Sequence, residues 1–536
     1  MMNTILFLNH KKKQCGVYQY GIRLYSILQK CDTYHYMYIE VESYEEYNTI
    51  VSAHPKCKCI MYNYHSTTMT WLHSSNIQRL VKNIGIPHES SFDIFDSVCN
   101  IDPNGIETST IYNIPRPIYE HVDTMLTNYE PSTSNIKDFI HYSEPNVPIF
   151  GSFGFGFMNK GFDKIVQYVN EQCDRAIIKL VITTGDYVPG SHETNNTLRQ
   201  LFDSINDNTK ITLMITHDFF SVNDVLYFLR SNTMNIFMHD TMHGRGISSV
   251  IDYAISVKRP LAISDSYMFR NIYSDEICLY KNSISSCIER SVNYYTRFLT
   301  EYTHVNVLSA CKHIVDCVSL LTYSQSYQDI FVASLTNGKH DGYFLEIGSN
   351  DPITHNNSYL MESKYNWRGT LVEYDKSFEY AYKQYRPRSN YILQDATTVH
   401  YREHLDLHNY PTEMDYLQID LDVDNSSTIT TLQNLDATVF DKYKFATVTF
   451  ETDIYRGNFF DTQTISREIF KNRGYILLFP NVSVYWEGEF KPFEDWYVHP
   501  DLVDMEFVRE IQSNMTDDTI RNVDIIRLLS DRLPQV

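Results

Sequence analysis

Two clusters in this 536-residue chain have residue types and spacing suited to chemistry. The first is Glu346-Ile347-Gly348-Ser349-Asn350-Asp351, where an apolar run ends in an acid, a glycine and small polar residues before a helix begins. A glycine at such a strand end lets the backbone come close to a ligand, and Glu346 beside it can offset a positive charge. Glu373 closes the next apolar run, where an acid commonly takes two ribose hydroxyls. Asp395 closes the run after that and is placed to meet an adenine edge, and Asp420 closes a fourth. A pyrophosphate would prefer a fuller G-x-G-x-x-G turn with an unobstructed helix start. Acids in that turn suit a cationic, phosphate-free nucleoside, S-adenosylmethionine. The competing reading is that these acids cap helices and solvate loops.

The second cluster is the run GRGISS, Gly244 to Ser249. A glycine-flanked helix start at Gly246, followed by Ser248 and Ser249, offers N–H groups and hydroxyls to a diphosphate. Arg245 can make a two-point contact with phosphate, and Lys160 adds a second charge. The competing reading gives Arg245 only a turn to cap. His65, in MYNYHSTTMTW, is an acceptor-side base or a buried strand-end histidine. For methyl transfer, an in-line displacement at a sulfonium carbon, His499 in EDWYVHP is the first choice of base, because a histidine titrates near working pH. Asp420, Asp422, Glu451 and His355 are the other candidates. Asp420 and Asp422 could hold Mg²⁺, an ion that favours carboxylates and water, if the strand has ended by Asp420 so that both acids reach one side.

The elements around these residues read as α/β throughout. From Pro148 to Ser264 strands (PIFGSF, IIKLVIT, KITLMITHD, NIFMHD, PLAIS) alternate with helices (GFDKIVQYVNEQC, VNDVLYFLRSN, GISSVIDYAISV). Phe162, Ile165, Val166 and Val169 share one helix face. Buried strands alternating with helices predict a parallel sheet covered on both sides. The first 142 residues alternate less cleanly, with strands at TILFLN, YHYMYIEV, CIMYNYH and FDIFDSVCNI and a helix near GVYQYGIRLYSILQK. YSEPNVP reads as a linker, and the chain from Asn282 to about Thr322 as helical. A third block runs through YFLEIG, GTLVEYD, NYILQD, MDYLQIDLD and FATVTFETD to YILLFP and VSVYWEGEF. The expectation is three Rossmann-like α/β domains, over residues 1–145, 146–320 and 321–536.

On SQSYQDIFVASL, GYFLEIGSNDP, NNSYLMESKYNWRGTLVE and PFEDWYVHPDLV, the third block closely resembles the FkbM-type methyltransferases, S-adenosylmethionine-dependent O-methyltransferases with a class I methyltransferase-like fold. The resemblance implies that Glu346, Gly348, Asn350, Asp351 and Glu373 line the cofactor site. Asp420-Leu421-Asp422-Val423-Asp424 departs from the family's Asp-Val-x-Gly-Glu-like run, keeping the acid and losing the glycine. On GVYQYGIRL, GSFGFGFMNKGFDKIV and GRGISSVIDYAISVKRPLAIS, the first two blocks resemble GT-B glycosyltransferases, which implies a nucleotide sugar as co-substrate held mainly by the second block. Phe153 and Gly154 stand where that class carries an arginine, and its helix acid is matched only approximately, by Asp252.

With 45 Lys and Arg against 66 Asp and Glu, the net charge of -21 argues against nucleic acid as the main partner. No apolar run is long enough to span a bilayer, and the short run at Thr4 to Leu8, with lysines after it, reads as a strand rather than a secretion signal. Ten scattered cysteines fit a reducing compartment, hence a cytoplasmic location. Abundant tyrosine, asparagine and isoleucine point weakly to an AT-rich genome, a viral one in a host cytoplasm included. Cys57-Lys58-Cys59 is too isolated for a zinc site, and His239, Asp240 and His243 lack helical spacing. The expected function is a two-activity enzyme of glycan assembly, transferring a sugar to a glycan acceptor and methylating a sugar hydroxyl. The alternative is a methyltransferase whose front half only grips the glycan.

Overall fold

The computed structural model describes residues 3–77, 81–89, 93–183, 191–205, 210–242, 244–421, 426–452 and 454–534. The chain divides into two compact units, Met1–Val318 and Ser319–Val536. The first unit contains two parallel sheets. Strands β1 (Asn3–Asn9), β2 (Tyr34–Glu40), β3 (Cys59–Tyr64), β4 (Lys82–Pro87), β5 (Ser97–Asn100) and β6 (Ile111–Asn113) lie in the order β2-β1-β3-β4-β5-β6. Strands β7 (Ile149–Phe155), β8 (Ala176–Thr183), β9 (Ile211–Thr216), β10 (Met234–Phe237) and β11 (Leu261–Ile263) lie in the order β11-β10-β7-β8-β9. Every pairing within both sheets is parallel.

Their sequences explain that choice. AIIKLVIT is buried along its whole length in β8, as a strand covered by helices on both faces must be. Its one charge, Lys179, donates to the Ile140 carbonyl at 2.6 Å. The Phe162–Gln172 helix buries Phe162, Ile165, Val166 and Val169 on one face, each worth roughly 1.5–3 kcal/mol when fully removed from water. Two expectations need correction. FDIFDSVCNI supplies a strand only over Ser97–Asn100, and the strand before it, KNIGIP, reads poorly because it carries Lys, Asn, Gly and Pro. Asn83 is nonetheless buried there, its side-chain oxygen accepting from the Tyr62 hydroxyl at 2.8 Å. The helix read over GISSVIDYAISV is only Val250–Ser256, with Ile247 buried ahead of it.

The second unit is built on β12 (Tyr343–Ile347), β13 (Arg368–Glu373), β14 (Asn390–Leu393), β15 (Glu413–Ile419), β16 (Lys444–Glu451), β17 (Ile476–Trp486), β18 (Glu489–Val498) and β19 (Ile520–Arg521). Their order is β14-β13-β12-β15-β16-β18-β17-β19. The first five are mutually parallel, and β18 runs antiparallel to β16 and β17. YILLFP and the first half of VSVYWEGEF run together as one strand, β17, whose register shifts on both sides of Pro480 as a bulged strand allows, and the closing EF already belongs to β18. EFKPFEDWYV is a strand too, hidden in the sequence by its acids. Glu494 and Asp495 are fully buried in it, Glu494 accepting from Gln328 at 3.1 Å and Asp495 paired with Arg467 at 2.7 Å.

Each sheet reverses its strand order beside its first strand, at β1/β3, β7/β10 and β12/β15, and the third sheet does so again where β18 lies between β16 and β17. In open parallel sheets the carboxyl ends of the strands at such a point leave a crevice for ligands.

Candidate functional site

In the first unit, two adjoining cavities of about 380 and 330 Å³ are lined by residues from the carboxyl ends of both sheets. They share Cys15 and Gly16 at the start of the Gly16–Leu28 helix, Phe155 at the end of β7, and Lys160, Ser248 and Ser249. The helix start is anchored from below. Asn63 Nδ2 donates to Asn9 Oδ1 at 2.9 Å and to the Val17 carbonyl at 2.7 Å, and His88 Nε2 lies 2.8 Å from Asn63 Oδ1. Sequence reading missed this row of amides; the signal was an asparagine closing or nearly closing an apolar run, in FLN and MYN.

Lys160 is half-buried and, among the described residues, makes no ion pair or side-chain hydrogen bond. No described residue lining either cavity is Asp or Glu. Burial, with the Arg245 charge added, pushes its ammonium down to about 8. An unpaired cation in a largely apolar cavity is costly and is relieved by an anion.

The other predicted residues here are placed differently from expectation. Arg245 is ion-paired with the Glu89 carboxylate at 2.5 Å, and the two residues also form an isolated antiparallel backbone bridge, so its guanidinium already has a partner. A Cβ on Gly246 would stand 2.5 Å from the His88 carbonyl oxygen, so this glycine permits a close backbone approach. The Ser248 N–H donates to the Met268 carbonyl at 3.0 Å, leaving its hydroxyl on the cavity wall. The following helix has only seven residues and no side-chain cap. His65 has both ring nitrogens engaged: Nε2 lies 3.0 Å from Glu89, and Nδ1 accepts from the Thr67 N–H at 3.2 Å. With its lone pair taken by Thr67 it has no free site for an acceptor proton. Asp252 lies inward, buried and paired with Arg23 at 2.5 Å and Arg116 at 2.6 Å, so it cannot reach a ligand.

In the second unit a cavity of about 960 Å³ opens at the β12/β15 switch point. Gly348, Asn350, Glu373, Asp395 and Asp420 line it together, as do Asp375 and Glu451. Gly348 has φ +83, and a Cβ there would fall 1.6 Å from the Asp420 carbonyl oxygen, so only glycine fits. Glu373 is held by three backbone donors, Asn350, Tyr374 and Asp375, at 2.8 to 2.9 Å. Asp395 accepts from the Thr397 N–H at 2.9 Å, so it caps a turn while standing exposed at the rim. Burial pushes the Asp420 carboxyl up, against a hydrogen bond to Glu451 that pulls it down. Among the described residues, the lining carries five acids against Arg456 and His355.

Three placements correct the sequence reading. Glu346 is buried beneath the loop, accepting from the Asn357 N–H at 2.9 Å and from the Ser358 hydroxyl, and burial pushes it to about 6. The cation near it is Arg386, which bonds Asn356 at 2.8 Å, so Glu346 shapes the loop instead of facing a ligand. Asp351 accepts from the Ile353 and Thr354 N–H groups and caps that loop. His499 is packed edge-on against Tyr475, ring centres 5.0 Å apart, and its backbone N–H donates to the Ala446 carbonyl at 2.9 Å. Ala446 is at the amino end of β16 and Glu451 at its carboxyl end, roughly 16 Å away at about 3.3 Å per residue. His499 is therefore on the wrong edge of the sheet to act as a base in this cavity.

β15 ends at Ile419, so Asp420 is free of strand alternation, but Asp422 lies outside the described residues, as does His243. Among the described residues no group of three or more His, Cys, Asp or Glu is placed to hold a metal ion. All ten cysteines are unbridged. No described helix is long and apolar enough to cross a membrane.

No protein-family model matches the chain, and no curated protein matches it. Solved structures similar to it include Anabaena HepE in complex with UDP-glucose, at 12% identity and a TM-score of 0.42, covering 59% of this chain and 100% of that one. An alpha-glucosyltransferase in complex with UDP and a 13-mer DNA is 10% identical with a TM-score of 0.40, over 60% of this chain and all of that one. The UDP-forming alpha,alpha-trehalose-phosphate synthase of Burkholderia xenovorans, in complex with glucose-6-phosphate, is 10% identical with a TM-score of 0.37, over 58% and 97%.

Proposed function

We propose that the chain is a two-site transferase of glycan assembly. Its first unit transfers a sugar from a nucleotide sugar to a glycan acceptor, and its second methylates a sugar hydroxyl with S-adenosylmethionine. One contrast supports this reading: among the described residues, the two adjoining cavities of the first unit present Lys160 and Arg245 and no carboxylate, while the cavity of the second presents five carboxylates. An anionic co-substrate suits the first and a cationic one the second.

In the first unit, Lys160 faces the charge that grows on a leaving diphosphate, in surroundings that screen it little. The Ser248 and Ser249 hydroxyls and the start of the Gly16–Leu28 helix complete the donor wall. Were this unit only a grip for neutral glycan, an unpaired half-buried lysine would be a cost without a return.

In the second unit, the residues present fit S-adenosylmethionine, which supplies an electrophilic methyl carbon on a sulfonium centre. Glu373 and Asp395 would take the ribose and the adenine edge, and Val372, Phe378 and Leu421 would flank the base. The order of β12–β18, with a reversed strand beside the fifth, supports the class I methyltransferase-like reading of this unit. The Asp420–Glu451 pair replaces His499 as the base. Two carboxyls this close share a proton, and the ionised member can accept one from a sugar hydroxyl. A base of this kind contributes ~10²–10⁴-fold, with positioning supplying several kcal/mol more.

The test is a panel of UDP-, GDP- and ADP-sugars and S-adenosylmethionine. Slow release of a nucleoside diphosphate is expected from one sugar nucleotide and is lost in Lys160→Ala. S-adenosylmethionine is expected to raise the melting temperature, and not in Glu373→Ala. Failure of both responses in the wild-type chain would remove the proposal.

A further inference from the structure

A third cavity of the first unit, about 560 Å³, shares a wall with the donor cavity. His88, Arg245 and Gly246 line both, and on the far side stand Asn100, Asn104 and Tyr267. Tyr267 is half exposed, with the Arg270 guanidinium 4.0 Å above its ring. An exposed aromatic ring among amide side chains has the stacking surface and hydrogen-bonding groups that a saccharide requires. Glu89 lines this cavity and is held on three sides: by His65 Nε2 at 3.0 Å, by Arg245, and by the Ser66 hydroxyl at 3.4 Å.

Among the described residues, Arg245 is thus the Arg or Lys that lines both compartments, and Glu89 occupies it. We propose that the Glu89–Arg245 pair is a latch between donor and acceptor: a donor diphosphate draws Arg245 away from Glu89, and so uncovers an acceptor-side carboxylate only when the donor is in place. The inference rests on the nucleotide-sugar reading of the Lys160 cavity and adds to it an order of events. His65 keeps its hold on Glu89 when Arg245 leaves, so the carboxylate stays aimed at the shared wall. In the step that follows, an acceptor hydroxyl gives its proton to Glu89 and its oxygen bonds the anomeric carbon. The bond from that carbon to the diphosphate breaks, and its electron pair leaves on the nucleoside diphosphate. The group is balanced without any further reactant, and the product has inverted configuration. The latch also explains why His65, with no free lone pair, stands at the acceptor side: it orients the base.

An internal carboxylate that competes for Arg245 must weaken donor binding by the fraction of time the latch is closed. A partly exposed ion pair of this kind sets that effect at about two- to fivefold. The experiment is calorimetric titration of the full chain with UDP, GDP and ADP, comparing wild type, Glu89→Gln, Arg245→Ala and the double variant. The expected result is that Glu89→Gln binds the preferred diphosphate two- to fivefold more tightly while releasing it from its sugar nucleotide at least a hundredfold more slowly. Arg245→Ala binds more weakly, and adding Glu89→Gln to it gives no tightening. Unchanged or weaker binding in Glu89→Gln, or equal tightening with and without Arg245, overturns the latch and leaves the donor reading standing. No diphosphate binding by wild type overturns the donor reading, and the latch with it. Should Glu89→Gln fail to fold, Glu89→Asp serves in its place, because the shorter acid cannot span both His65 and Arg245.

Discussion

Lys160 carries the sharpest consequences at the level of single side chains. Its ammonium titrates near 8, so below that pH the charge is present for a diphosphate, and above it binding must take up a proton. Diphosphate affinity is expected to be flat up to about pH 7.5 and to fall by up to about tenfold per unit above pH 8; titrations from pH 6.5 to 9.5 check this. The same shift acts on stability with the opposite sign. Between about 8 and 10.5 the unfolded chain binds more protons than the folded one, so stability rises with pH across that window. At pH 7 the charged lysine is therefore a burden, and Lys160→Met should stabilise the first unit by on the order of 1 kcal/mol after allowance for its partial exposure, while abolishing donor binding. Chemical denaturation at pH 7 measures it. His499 makes the contrasting case. Its ring packs on Tyr475 far from the acids, so His499→Ala should cost about 1 kcal/mol of stability and change methyl transfer less than about twofold, where Asp420→Asn removes it.

At the level of elements, the cavities depend on close approaches between strand ends and on one buried charge cluster. Gly348→Ala would drive a methyl group into the Asp420 carbonyl and prise β12 from β15; a loss of about 2–4 kcal/mol and of the S-adenosylmethionine response is expected in thermal unfolding. Asp252 joins Arg23 of the Gly16–Leu28 helix to Arg116, with Tyr20 and Tyr253 rings over the guanidinium groups. Removing the single acid strands two buried cations, so Asp252→Asn should cost about 3–5 kcal/mol. Strands and helices of this kind were legible because their apolar runs have only one plausible burial. What sequence could not show is which partner each polar residue finds. KNIGIP and EFKPFEDWYV do not read as strands because their Asn83, Glu494 and Asp495 are satisfied by residues distant in the chain. Missing β18 had a direct cost, since its direction carries His499 to the amino edge of the sheet.

At the level of the whole chain, the proposed anion site of the first unit sits in a protein of net charge -21, and the proposed cation site of the second is lined by acids. The strand-end acids Glu373, Asp395 and Asp420 were readable because topology alone brings successive carboxyl ends to one crevice. Glu346 and Asp351 are placed otherwise than expected because side-chain direction, which period and spacing leave open, turns them into the loop they shape, whereas Arg245 lines its cavity as expected but is held there by Glu89. The account stands or falls on whether the two cavities sort ligands by charge. Calorimetric titration of wild type, Lys160→Ala and Glu373→Ala with S-adenosylmethionine and with UDP, GDP and ADP tests this most directly. Wild type should bind S-adenosylmethionine and at least one diphosphate, Lys160→Ala should lose only the diphosphate, and Glu373→Ala only S-adenosylmethionine. Binding of both ligands that survives in both variants, or a loss of both in either one, would contradict it.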